Sequence, residues 1–280
     1  MIRVRYVNHE GSEFVLNGDG YTSTNVNALR AYNWSFNSVN RPSGYGGKAS
    51  GFARRPVTRD ITVKIRAFKR EDMQALANRL HAITEADIMA EQPGKLYIGN
   101  QYIVCYLGVS STVEQYTDKT SFLGKKLQVR IEEPYWCSEA TTIFNIVTVT
   151  DTTGKKFDLR LPYRYGSGYA SSYIANSHFA ACQAIITIYG SVANPSIQIA
   201  GNIYNVDVTL TATERLVIDQ TKRKIYKVSS TGVQTNVFNA RNKGYDVFAP
   251  IPVGQSPVIY SGAFKFSITL VQQRSEPLWT

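Results

Sequence analysis

The segment from residue 194 to 238 constrains the fold most, because its apolar residues fall on alternate positions. These residues are Ile197, Ile199, Tyr204, Val206, Val208, Leu210, Leu216, Ile218, Tyr226 and Val228. A period of two is typical of β-strands, and polar residues such as Asp207 and Thr209 stand where an amphipathic helix needs apolar ones. Short runs rich in Gly, Asn, Ser and Thr separate the strands as turns. The segment is therefore predicted to form four or five antiparallel strands that pack against a second sheet.

Short motifs follow one another in a fixed order along this part of the chain. They are Gly190 at the end of a strand, an Asn194-Pro195 turn, a Leu-x-Ile-Asp strand end at 216–219, and hairpin residues Gly232, Asn236 and Phe238. In this order and spacing they resemble the carboxy-terminal half of siphophage distal tail proteins. The resemblance extends to both halves of the chain. It implies an amino-terminal β-domain that forms a ring, followed by a galectin-like β-sandwich.

The fold class predicted from the sequence is mostly β, with two domains. A chain of 280 residues exceeds the usual size of one domain, and its 18 tyrosines and many β-branched residues favour strands. A Glu-Pro pair followed by a large apolar residue and Trp occurs at 133–136 and again at 276–279. We use this repeat to set the boundary. The predicted domains are 1–136, a β-sandwich or barrel-like domain with one helix, and 137–280, a β-sandwich.

One helix is predicted near residues 70–90. Apolar residues recur there at helical spacing, namely Met73, Leu76, Ala77, Leu80, Ile83 and Ile88. Glu71 and Asp72 stand at its amino end, where the helix dipole favours negative charge. Before it, the alternation of Tyr32, Trp34 and Phe36 predicts a strand with one aromatic face. We expect the helix to cover that face.

A glycine-rich stretch at residues 41–51 is predicted to be irregular and leads into a basic patch. The stretch does not match a phosphate-binding loop, because Pro42 and Ala49 stand where that motif needs Gly and Ser or Thr. The patch contains Arg54, Arg55 and Arg59. These arginines are candidates for an arm that contacts a neighbouring subunit. An ordinary hairpin loop is the alternative.

A stretch rich in Tyr, Ser and Gly at residues 163–173 is the second candidate binding segment. Such composition is typical of binding loops, because tyrosine provides large contacts at low conformational entropy. Tyr165, Tyr169 and Tyr173 are therefore candidate contacts for a sugar or a protein partner. The alternative is that these tyrosines lie flat on their own domain.

The sequence contains no recognisable catalytic motif. Three histidines are present, His9, His81 and His178, and none belongs to a metal or hydrolase motif. Three cysteines without CxxC spacing, namely Cys105, Cys137 and Cys182, are predicted to be buried free thiols. We therefore predict a protein that is not an enzyme and binds no metal or cofactor.

The net charge of +10 is spread along the chain, which favours a solvated surface over nucleic-acid binding. Residues 1–6 contain no secretion signal, and no apolar run is long enough for a membrane span. We expect synthesis in the host cytoplasm and no membrane insertion.

The resemblance implies a structural role at the tip of a phage tail. A homo-hexameric ring would join the tail tube protein to the baseplate or the receptor-binding apparatus, and DNA would only pass through its channel. The alternative is a β-sandwich module that binds host cell-wall carbohydrate through Tyr165, Tyr169 and Tyr173. An arginine-led nucleic-acid binder is the third possibility.

Overall fold

Antiparallel strands build both parts of the protein. The computed structural model describes residues 3–32, 34–116, 121–147 and 170–278, and the chain divides into two units. The first unit comprises Met1–Ser138 and Gln273–Thr280, and the second comprises Glu139–Gln272. The mostly β fold class is confirmed. The domain limits 1–136 and 137–280 stay a prediction, whereas the contacts in the structure group residues 273–280 with the first unit.

Within the described ranges, ten strands lie wholly in the first unit, together with one α-helix and a short 3₁₀ helix at Val26–Leu29. Its strands are β1 (Val4–Val7), β2 (Glu13–Val15), β3 (Asn17–Gly18), β4 (Tyr21–Thr24), β5 (Ser35–Asn40), β6 (Gly47–Ala53), β7 (Val57–Ala67), β8 (Gly94–Ile98), β9 (Gln101–Tyr116) and β10 (Ser121–Ile131). Eight of them pair in the order β2-β1-β8-β9-β10-β7-β4-β3. The remaining two, β5 and β6, pair with each other.

The helix α1 (Arg70–Met89) lies against strands β7, β9 and β10 and completes the core of the first unit. Its buried residues are Met73, Ala77, Leu80, Ile83, Thr84 and Asp87. The predicted helix is thus confirmed, but one residue of its stripe is wrong. Ile88 is 42% exposed and Asp87 is buried, because each helical step of about 100° turns position 88 away from the face shared by 80, 84 and 87. Among the described residues, no helix has the length and hydrophobicity needed to cross a bilayer.

Two predictions about residues 32–51 are wrong. The aromatic side chains at 32–36 are not covered by α1: Tyr32 and Trp34 lie outside any strand, and Phe36 lies exposed on β5. The glycine-rich stretch is not irregular throughout, because its last residues form β6. Gly44 and Gly46 adopt positive φ angles of 76° and 72° at the tip, which glycine tolerates without strain. The segment therefore folds as a β-hairpin.

The second unit is a β-sandwich. One sheet has the order β20-β19-β18-β13-β22-β11, the other has the order β12-β21-β15-β16, and β14 pairs with β17. The strands are β11 (Trp136–Phe144), β12 (Ala170–Asn176), β13 (Gln183–Tyr189), β14 (Val192–Ala193), β15 (Ser196–Ile199), β16 (Asn202–Asn205), β17 (Thr209–Leu210), β18 (Arg215–Asp219), β19 (Lys224–Val228), β20 (Gln234–Asn236), β21 (Gly254–Tyr260) and β22 (Lys265–Arg274). A 3₁₀ helix occupies Phe238–Ala240. β11 and β22 each continue from one unit into the other.

Apolar residues from both sheets fill the core of the sandwich. Ile186, Ile218 and Ile268 come from the first sheet, and Ile199 and Val258 come from the second, each no more than 1% exposed. The alternation in 194–238 thus forms strands as predicted, but not one meander: β15 and β16 join one sheet and β18, β19 and β20 join the other. Alternating apolar residues predict which face of a strand is buried, but they do not predict which strand it pairs with.

Candidate functional site

A β-hairpin in the first unit exposes aromatic side chains that do not pack in the core of that unit. In this hairpin, which we call the arm (residues 35–53), β5 and β6 pair only with each other. Phe36 stands directly opposite Phe52 in the register, and the two side chains are 65% and 68% exposed. Val39 and Tyr45 are exposed as well.

The arm has the properties of a docking element. An isolated two-stranded hairpin is only marginally stable in water, so a partner that packs against it adds to its stability. Contiguous exposed apolar side chains on a folded protein mark interaction sites. The aromatic alternation at 32–36 is visible in the sequence, where it predicts a face covered by the helix.

Arg54 fastens the base of the arm to the rest of the first unit. Its guanidinium carbon lies 4.2 Å from the ring centroid of Trp34 and 4.2 Å from that of Tyr135, a cation–π arrangement on two sides. Nη1 donates a hydrogen bond of 2.8 Å to the carbonyl oxygen of Pro134, and Nη2 donates one to the hydroxyl of Ser275. Burial lowers the pKa of Arg54, and the nearby Tyr135 opposes that shift. An arginine nevertheless stays charged in proteins.

The three arginines singled out in the sequence line one cleft of about 140 Å³. We call it the arginine cleft and define it by Arg54, Arg55 and Arg59. Arg55 is exposed, and Arg59 is partly buried with Nη2 at 3.4 Å from the carbonyl oxygen of Ala31. Tyr32 and Ser35, at the base of the arm, line the same cleft. The structure thus brings the predicted arginines together beside the arm, and their contact with a neighbouring subunit stays a prediction.

The tyrosines predicted to bind a sugar or a protein are only partly covered by the described residues. Tyr165 and Tyr169 lie outside them. Tyr173 lies on β12, 65% exposed, and pairs with Pro257 of β21. A groove of about 570 Å³ runs along the same sheet, lined by Gln198 and Ile259 among others. The role of the tyrosines as partner contacts stays a prediction.

A buried polar cluster links strand β1 to the end of helix α1. Asp87 is 0% exposed and accepts hydrogen bonds from the Tyr6 hydroxyl, from the backbone N–H of His9 at 2.8 Å, and from His9 Nδ1 at 2.6 Å. The pKa of Tyr6 is raised, mainly by burial and to a smaller extent by the neighbouring Cys105 and Asp87. The pKa of Cys105 is also raised, mainly by burial and to a smaller extent by the charge of Asp87.

This cluster has the chemistry of a structural network. A thiol whose pKa is raised stays protonated, and the protonated form is a poor nucleophile. Cys105, Cys137 and Cys182 are all buried free cysteines, as predicted. In the part of the chain that the structure describes, no group of three or more His, Cys, Asp and Glu side chains could hold a metal ion. Asp87 was not among the residues predicted from the sequence, although an acid within an apolar helical stripe is a usable signal.

Comparisons with known proteins place the fold. No protein-family model and no curated protein sequence matches the chain. A crystal structure of the Dit protein of phage SPP1, described as a paradigm of the hub adsorption apparatus in phages that infect Gram-positive hosts, matches with a TM-score of 0.58 at 11% identity. The match covers 98% of this chain and 99% of that one.

Chains from the phage P2 baseplate match as well. The activated conformation with Ca gives a TM-score of 0.65 and the one with Sr gives 0.61, both at 14% identity. Each match covers 99% of this chain, and 99% and 100% of the respective baseplate chain. The resemblance to phage distal tail proteins is thus confirmed at the level of the fold, across both units.

Proposed function

We propose that this protein is a structural component of a phage tail tip, where copies form a ring-shaped hub between the tail tube and the baseplate or receptor-binding apparatus. The observation that carries the proposal is the match over 98–99% of the chain to SPP1 Dit and to phage P2 baseplate chains. Those proteins are described as a hub of the adsorption apparatus and as a baseplate. A likeness that spans both units favours the same kind of building block over a shared single domain.

The mechanism of such a hub is geometric. Each copy contributes its arm to the next copy, so that Phe36 and Phe52 become buried between subunits. Head-to-tail contacts of this kind close into a ring when the rotation between subunits fits, and no interface then stays open. The resemblance to distal tail proteins supports six copies around a channel through which DNA passes, within a virion assembled in the host cytoplasm. The second unit offers docking surface for other tail proteins.

The mass of the purified protein tests this proposal. We expect native mass spectrometry to give a species of six chain masses, and negative-stain images to show rings with a central hole. Dilution should shift the population toward single chains without intermediate filaments, because a ring has a defined number of copies. A protein that stays monomeric at high concentration would contradict the proposal.

A saccharide-binding role is the second candidate function, and the exposed Tyr173 favours it. Tyr173 lies on the same sheet as the groove residues Gln198 and Ile259, so this sheet presents both an exposed aromatic ring and a polar groove. We expect titration of host cell-wall polysaccharide into the protein to give a heat of binding in calorimetry. Tyr173→Ala should reduce that heat. Tyr245→Ala, which removes another exposed tyrosine of the second unit, is the matched control. Equal signals from the two variants would argue against this role.

A further inference from the structure

We propose that the arginine cleft receives the carboxylate of a glutamate or aspartate side chain from a neighbouring copy of this chain. This inference rests on the proposed ring and names the contact that fixes its register. Four observations carry it: the uncompensated charge of the cleft, its unused donors, its shape, and its position beside the arm.

The positive charge of the cleft has no counter-charge of its own. Among the residues that the structure describes, Arg54, Arg55 and Arg59 form no ion pair, and no carboxylate lines the cleft. The acid nearest in sequence, Asp60, is bound to Lys126 at 2.9 Å. Three like charges in a small space repel one another, and a carboxylate placed among them is attracted to all three. The cleft therefore selects an anion.

Two of the guanidinium groups keep buried donors without an acceptor. Nε of Arg54 and Nε of Arg59 are inaccessible to solvent and donate no hydrogen bond. A buried polar group without a partner is unfavourable, and a buried cation is more so. The guanidinium of Arg55 is exposed and open to an entering carboxylate, whose oxygens accept from arginine donors in a planar, often bidentate geometry.

The shape of the cleft favours a side chain over a polymer. The volume of about 140 Å³ is small, and the lining includes the apolar residues Leu29, Ile103, Ile131 and Trp136, which are at most 2% exposed. Apolar lining groups suit the methylene stem of a glutamate or aspartate, whereas a nucleic acid or another phosphate polymer needs a long open groove. The occupant that fits is one acidic side chain.

The position of the cleft indicates which molecule provides that side chain. Tyr32 and Ser35 line the cleft, and Ser35 is also the first residue of the arm. Phe36 follows Ser35 directly in β5, so a copy that covers Phe36 and Phe52 reaches the base of the arm, where the cleft lies. The apolar contact on the arm and the charged contact in the cleft then belong to one interface between neighbours.

A zero-length cross-link identifies the partner. In Arg55→Lys the introduced amine keeps the charge, and carbodiimide couples an amine to a carboxylate in direct contact. We expect a 1:1 mixture of ¹⁵N-labelled and unlabelled protein to give mixed-isotope peptide pairs that join position 55 to one acidic residue. Arg41→Lys, which adds the same amine at the exposed tip of the arm, should give none. If the ring forms but no mixed-isotope pair includes position 55, the inference is overturned.

A charge reversal separates this inference from the ring itself. The Arg55 side chain is exposed, so Arg55→Glu should fold normally. We expect it to raise the apparent dissociation constant of the assembly at least about tenfold, with Arg41→Glu as the control. If Arg55→Glu leaves the assembly unchanged while changes in the arm abolish it, the carboxylate contact is refuted and the ring stands. If the unmodified chain never assembles, both fail.

Discussion

Replacement of Phe36 and Phe52 by serine is expected to abolish assembly and to leave both units folded. The two rings stand opposite each other on the arm and contribute almost nothing to the core, since 65% and 68% of their surfaces are exposed. Each phenyl group buried at an interface contributes roughly 1.5–3 kcal/mol. Loss of both therefore weakens each contact between copies by about a hundredfold or more.

Native mass spectrometry at one fixed concentration measures this effect. We expect the double variant to give single-chain mass, with a circular dichroism spectrum and a melting temperature close to those of the unmodified protein. Phe68→Ser is the matched control, because Phe68 is 90% exposed in the same unit but lies outside the arm. An assembly that survives the loss of both rings would show that the arm is not the contact. Equal dissociation by Phe68→Ser would show that the effect is not specific.

Removal of the Asp87 carboxylate is expected to destabilise the first unit by roughly 3 kcal/mol. In Asp87→Ala, the Tyr6 hydroxyl and two N–H groups of His9 lose their hydrogen-bond acceptor. Solvent water does not replace that acceptor, because position 87 is 0% exposed. Gly94 lies against the same cluster: a Cβ added at position 94 would collide with the Tyr6 hydroxyl and the Asp87 carboxylate. We therefore expect Gly94→Ala to destabilise the same unit.

Urea unfolding followed by tryptophan fluorescence measures this loss in one unit at a time. Residues 139–272 contain no tryptophan, whereas Trp34 and Trp136 belong to the first unit, so tryptophan emission does not report the second unit. Asp72→Ala, which removes an exposed acid from the first turn of the same helix, is the control and should change the midpoint little. Equal midpoints for the Asp87 and Asp72 variants would contradict the proposed role of the buried cluster.

Periodicity predicted the elements whose local pattern is strong. Helix α1 and strand β18 follow directly from apolar residues at helical and alternate spacing, as Leu80 and Ile218 illustrate. The buried free cysteines were predicted for a similar reason, since each stands among apolar or aromatic neighbours. Such patterns report which side of an element avoids water.

Features that depend on distant residues could not be predicted in this way. The aromatic alternation at Phe36 was assigned to the core, because a sequence does not state what lies opposite a face. The pairing of Phe36 with Phe52 and the clasp of Arg54 between Trp34 and Tyr135 join positions far apart in the chain. The arginines were selected for their charge, and only the fold shows that they line one cleft.

The chain passes from the first unit into the second after Ser138 and returns at Gln273. The second unit is thus inserted between two separate segments of the first unit. The returning segment completes the first unit: Ser275 receives a hydrogen bond from Arg54, and the N–H of Leu278 donates one of 3.0 Å to Gln101 Oε1. A stop codon after residue 138 therefore yields an incomplete first unit, whereas excision of 139–272 with a short linker retains every strand segment that the first unit uses. The same two junctions are where another module could be exchanged for the sandwich.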